Sequence, residues 1–286
     1  MARALGIVVA LSGSLAGTAL LWYGGGNTVL RMSQYGVDGG SGGFPALAGL
    51  GAVLLGVAAF SVRWSSLGVL IAGGAHLAFS LLALLVPTST GGAGSPAIAL
   101  LDALVAVDPG LASGGFYVVA FGASLLIGAA LLGVGAVARR RAPNLGWRIA
   151  SGVGGVLAIG AAVWAFTAGG SFYRSVFQLL DWQLGPALAV TLAGAVFGLA
   201  LLPAGRSPIG AWLAGPVLAL VGVVLLVVDS DAYADAPNGV LATLPVLGWS
   251  GAILAVGLSV TGLALGVTLR PVRSAGAVQD RGSAAV

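Results

Sequence analysis

The chain has 286 residues, of which 58% are hydrophobic and only 7% are charged, with a formal net charge of +4. Soluble domains carry roughly a quarter charged residues, so the composition excludes an ordinary water-soluble fold. It contains no Cys, Lys or Glu, which removes disulfides, thiolate metal sites and cysteine nucleophiles; a charge set of Arg and Asp alone suggests a GC-rich bacterial genome.

In chain order, eight long apolar stretches alternate with charges. Each is near the roughly 20 residues that cross a bilayer core as a helix. They are apolar all round and do not alternate, which selects helices over barrel strands. The spacing predicts spans near 4–23, 44–62, 65–86, 115–138, 148–168, 185–203, 209–228 and 246–269. Arg3 and Ser14-Leu15-Ala16 would also suit a cleaved secretory signal, but the apolar run continues to Tyr23 and favours a retained helix. Residues 96–108, with Asp102 and Asp108 bracketing Ala103–Val107, predict a short helix on the membrane or over the bundle. Pro216 is the one proline well inside a predicted span, where a local kink is expected.

The arginines set the expected orientation. Arg63, Arg139, Arg140, Arg141, Arg148 and Arg206 follow even-numbered spans, Arg3 precedes the first, and Arg270, Arg273 and Arg281 follow the last. By the positive-inside rule both termini are cytoplasmic, in the plasma membrane of a bacterial cell. Asp38, Asp102, Asp108, Asp181, Asp229, Asp231 and Asp235 then face outward. Trp22, Trp164, Trp182 and Trp249 fall at outer span ends and Trp64, Trp147 and Trp212 at inner ends, as an aromatic belt would. The arginines form no continuous basic face, so no nucleic-acid partner is expected.

An internal duplication is visible. At an offset of 142, Gly13, Leu15, Ala16, Ala19 and Trp22 meet Gly155, Leu157, Ala158, Ala161 and Trp164, and the block from Gly56 to Gly73 meets that from Gly198 to Gly215. The fourth and eighth spans match at an offset of 133, through Leu125, Leu132, Gly133 and Val134 against Leu258, Leu265, Gly266 and Val267. The expected fold is an all-α polytopic helix bundle of about eight transmembrane helices in two tandem four-helix repeats, 1–143 and 144–270, with a flexible cytoplasmic tail at 271–286. Four spans per repeat give both halves one orientation, related by a pseudo-twofold axis along the membrane normal.

The two arginines that break the inside pattern suggest a site. Arg31, Gln34 and Asp38 correspond, with a slip of one or two residues, to Arg174, Gln178 and Asp181. Residues 172–182 read as an amphipathic surface helix with Arg174 and Gln178 on one face. Two guanidinium groups near a pseudo-twofold axis suit a lipid phosphate or a carboxylate; the alternative is that each Arg pairs with its own Asp. Asp229, Asp231 and Asp235 lack the further ligands and Gly of a calcium loop and read as solvated charges. His76, the only histidine, falls near the middle of the third span, where ionisable groups are costly and tend to be functional. A neutral imidazole bonded to a neighbouring helix is the bland alternative. Small residues at three- to five-residue spacing, such as Gly194/Gly198, read as ordinary bundle packing.

Acid–base and nucleophilic catalysis need groups this chain hardly possesses, and no phosphate loop, metal cluster or dinucleotide fingerprint is present. The expectation is a non-enzymatic membrane protein with no cofactor and no metal. It would act as an accessory or scaffold subunit of a membrane or envelope complex, its outer loops contacting membrane lipids and other membrane protein subunits. The alternative is a carrier for a hydrophobic or lipid-like substrate using a cavity between the two repeats that reaches the midplane near His76.

Overall fold

The computed structural model describes residues 2–35, 43–86, 96–138, 143–177, 182–227 and 243–270. These form eleven α-helices and no strand: α1 (Ala2–Tyr35), α2 (Phe44–Phe60), α3 (Ser66–Leu85), α4 (Pro96–Val105), α5 (Pro109–Ala120), α6 (Ala123–Val137), α7 (Leu145–Phe177), α8 (Leu184–Leu201), α9 (Ile209–Val227), α10 (Leu244–Trp249) and α11 (Ala252–Thr268). Short 3-10 turns end α2 and α8. Among the described residues six helices are long and apolar enough to cross a membrane, and a seventh span results if α5 and α6 count as one.

Two of the expected boundaries are corrected. The first span does not end at Tyr23 and the fifth does not end at 168, because α1 and α7 run on without a break as helices of 34 and 33 residues. At 1.5 Å per residue each is about 50 Å long, against a bilayer core of about 30 Å. Gly24-Gly25-Gly26 reads as a helix stop, since Gly costs about 1 kcal/mol in a helix interior. In the fold these glycines are a packing surface. A Cβ on Gly24 would collide with α2 at Ala48, one on Gly25 with Ser250 before α11, and one on Gly26 with Gly110 and Gly114 of α5. The helix continues because three elements close against it there.

The fourth and eighth expected spans are each interrupted. α5 and α6 meet at 60°, where Gly122 adopts φ +75°. α10 and α11 are separated at Gly251, φ +69°. The left-handed region is costly for any residue with a Cβ, so each glycine permits the chain to turn between two helical pieces. The long helices bear on these breaks crosswise: Gly25 of α1 lies on Ser250, and Gly169 of α7 would bring a Cβ to 2.5 Å from Phe121 Cα. The second piece of the eighth span has only 17 residues, about 26 Å.

α6 and α11 pack against each other at the centre and are buried on nearly every side. Small residues line them, as close backbone approach in a membrane bundle requires. α2 packs on α11 and α8 packs on α6. Large apolar side chains instead project outward, Leu15, Val156, Leu199 and Leu220 among them. The helix expected within 96–108 forms as α4, packed on α5 and α3. Asp108 caps α5, its carboxylate accepting from the Leu111 N–H at 2.7 Å, with Pro109 in the first turn. Trp249 is buried, so it serves the α10–α11 junction and not an aromatic belt. Trp182 donates to the Leu84 carbonyl at 3.2 Å, joining the C-terminal end of α3 to the start of α8.

Candidate functional site

His76 lies midway along α3, where it is buried. Its Nε2 is 3.0 Å from Ser14 Oγ on α1 and its Nδ1 is 2.9 Å from Ser124 Oγ on α6. A neutral imidazole carries one N–H and one acceptor nitrogen, so one serine receives the ring proton and the other donates its own. Three helices are thereby tied through one ring.

Local packing explains why these groups meet. Gly122 starts α6 close to the ring, and Ser124 follows two residues later. α6 then approaches α3 closely: a Cβ on Gly128 would be 2.7 Å from Leu77 N, and one on Gly73 would be 2.8 Å from Leu131 Cβ. α1 approaches α3 backbone to backbone near its start, where Gly6 meets Ser65 and Gly68 meets Ile7. Further along, α1 is held by α2 at Gly17/Gly51 and by α5 at Gly26/Gly110. Between Ser14 and Trp22 a gap is left beside α3.

The gap is a cleft of about 340 Å³ with apolar walls and the Ser14–His76–Ser124 group at its base. Leu15 and Leu11 on its rim are 76% and 39% exposed, so the cleft opens sideways on the flank of the bundle. Trp22 forms its upper end, with its ring 5.6 Å from that of Phe79. The indole N–H of Trp22 is buried and has no hydrogen-bond partner. A lone buried donor costs about 1–3 kcal/mol. Chemically the cleft offers an apolar bed and a neutral polar floor. Among the described residues it holds no carboxylate, and no group of three metal-ligating side chains occurs.

The outer-loop pair sits differently from its expected setting. Arg31 is on the last turns of α1, its guanidinium 4.6 Å from the centre of the Phe44 ring. Gln34 is on the same helix end. Arg174 is half-buried in the last turn of α7, its Nε enclosed without a partner. The residues from Phe172 onward continue α7, and Phe172 is buried, so no separate surface helix begins there. Asp38, Gln178, Asp181 and the Asp229–Asp235 group lie outside the described residues.

Sequence reasoning picked out His76 but missed its partners. Ser14 fell within the signal-cleavage reading and Trp22 within the belt; Ser124 carried no signal at all. No protein-family model, curated protein or solved structure matches the chain.

Proposed function

We propose that the chain is a non-enzymatic, multi-pass protein of the plasma membrane that holds a hydrophobic, lipid-like molecule in the cleft at His76. The observation that carries this reading is the sideways-opening cavity with apolar walls and the Ser14–His76–Ser124 group at its floor. Its volume is at the small end of the roughly 300–1,000 Å³ of ligand sites, enough for part of a lipid. Of the two sequence readings we favour the carrier for a lipid-like substrate, with its cavity inside the first half and not between the repeats as the sequence reading had it. The accessory-subunit reading depends on outer-loop residues of which three lie outside the described set.

The two-half architecture belongs to the same proposal. It is supported by close approaches that recur in register. Gly56 faces Gly262 as Gly198 faces Gly133, and Gly128 meets Leu77 as Gly257 meets Ala219. Helices α1–α3 relate to α7–α9 by the offset of 142, and α6 to α11 by 129, one helical turn from the 133 of the sequence match. Two apolar grooves of about 520 and 420 Å³ follow the same relation, one over α6 and α8 and the other over α11 and α2. In this register Ser14, His76 and Ser124 correspond to Val156, Leu218 and Ile253, so the polar group belongs to the first half alone and the cleft is formed within that half. An orientation with cytoplasmic termini is supported by contacts that bring Arg3, Arg270 and Trp64 together at one end, with Asp108 at the far end of α1 beside Asn27.

The test exchanges the floor for its second-half equivalent: Ser14→Val, His76→Leu and Ser124→Ile together. Wild type purified in mild detergent should retain a hydrophobic molecule, detected by native mass spectrometry and solvent extraction. The triple variant should lose it while keeping the same helicity and elution volume. Identical extracts from both proteins would refute the proposal.

A further inference from the structure

The polar group at His76 has more hydrogen-bonding capacity than its own contacts use. A neutral imidazole and two serine hydroxyls each bring one proton, and the bonds from the ring to Ser14 and Ser124 employ all but one of them. Whichever ring nitrogen carries its proton, the serine that accepts it keeps its own O–H. Both serines line the cleft, so a hydroxyl donor is left over at its floor.

A second donor stands one turn along α1. Thr28, Thr167, Thr191, Thr261 and Thr268 each turn the hydroxyl back to the carbonyl four residues earlier, which satisfies it within its own helix. Thr18 lines the cleft and is only partly buried, and among the described residues its Oγ1 has no hydrogen-bond partner. Ser14 and Thr18 lie on one face of α1, about 6 Å apart along its axis, and Trp22 follows at the same interval. Across from them α3 presents Ala72 and Ala75, which leave room, and then Phe79, whose ring is 5.6 Å from that of Trp22 and tilted by 31°.

The depth of these donors selects the occupant. His76 is midway along α3, a level where a charged headgroup is costly. Acyl chains reach that level but bring no acceptor to it. An uncharged lipid whose polar part is a flat ring, with oxygens at opposite edges about one helical turn apart, meets both hydroxyls. Its ring lies against two aromatic side chains, and its tail stays in the bilayer through the open side of the cleft. We propose, resting on the reading of this cleft as a lipid site, that its occupant is a quinone-type lipid. One ring carbonyl accepts from Thr18 and the other from the serine at the floor.

The experiment uses the full chain in mild detergent, offered decylubiquinone, decylbenzene or a short-chain phosphatidylcholine, with binding read by native mass spectrometry. Two hydrogen bonds should make wild type prefer decylubiquinone to decylbenzene by about tenfold or more. Thr18→Val, which keeps the side-chain shape, should weaken decylubiquinone about two- to tenfold and leave decylbenzene unchanged. Thr18→Ser, which keeps the hydroxyl, should bind as wild type, and so should Thr167→Val on the exposed side of α7. Equal binding of decylbenzene or phosphatidylcholine, lost in the triple floor variant, would overturn the quinone assignment and leave the cleft as a lipid site. Undiminished decylubiquinone binding in Thr18→Val would also overturn the assignment. Binding of none of the three overturns the assignment and the cleft reading together.

Discussion

Replacing His76 with leucine removes both of its interhelical hydrogen bonds. Such bonds in membrane bundles average about 0.6 kcal/mol and reach about 1.7, so the expected cost is about 1–3 kcal/mol. Ser14 and Ser124 would be left without the ring, though each can turn its hydroxyl back to a carbonyl of its own helix, which limits the loss. Removing both sides of a buried polar contact is often nearly neutral when shape is kept. Ser14→Val, His76→Leu and Ser124→Ile together should therefore cost less than His76→Leu alone, within about 1 kcal/mol of wild type. Reversible unfolding in mixed micelles, followed by tryptophan fluorescence, measures each step of the cycle. Should the triple variant instead lose the sum of its three single losses, the groups act independently and the reasoning from a shared network fails.

Trp22→Phe keeps the aromatic wall and deletes the lone buried donor; it should leave the thermal unfolding midpoint unchanged or raised, and a clear drop would refute the reading of that N–H as unpaired. Gly122→Ala should destabilise by about 1–2 kcal/mol from its left-handed backbone alone, and more because its Cβ would sit 2.6 Å from Val190 Cγ1; an unaltered unfolding midpoint would contradict the bend. Asp108→Ala should cost about 1 kcal/mol through loss of the cap on α5, detectable as faster amide exchange at Leu111. Gly133→Val and Gly262→Val, which strike Gly198 and Gly56 respectively, should destabilise the bundle to a similar degree; a large disparity would count against the two-half relation.

The membrane-bundle class was legible from the charge spacing, because burying charge in hydrocarbon is so costly that the apolar stretches between arginines announce the helices. Helix ends were less legible. Three consecutive glycines after Tyr23 look like a stop, and only the backbones closing on Gly24, Gly25 and Gly26 explain why the helix persists. The break at Gly122 was equally hidden, since a chain rich in glycine gives no sign of which one has φ +75°. At the site, a lone histidine stands out by its cost in a bilayer, whereas Ser14 and Ser124 are ordinary in any helix. Their pairing with His76 depends on three helices meeting, a tertiary fact that local pattern does not contain. Under the proposed two-half relation Ser14, His76 and Ser124 would pair with Val156, Leu218 and Ile253, whereas the sequence offset of 133 set Ser124 against Gly257.

The packing of α2 against α11 has a consequence for biosynthesis. A ribosome adding roughly 5–20 residues per second needs on the order of ten seconds after α2 emerges to deliver its partner. Through that interval the face around Gly56 has only lipid or an insertion chaperone for company. Closure of the bundle thus waits for the last helix, and a message cut short before that point would yield a membrane-inserted chain that could not complete its own interior.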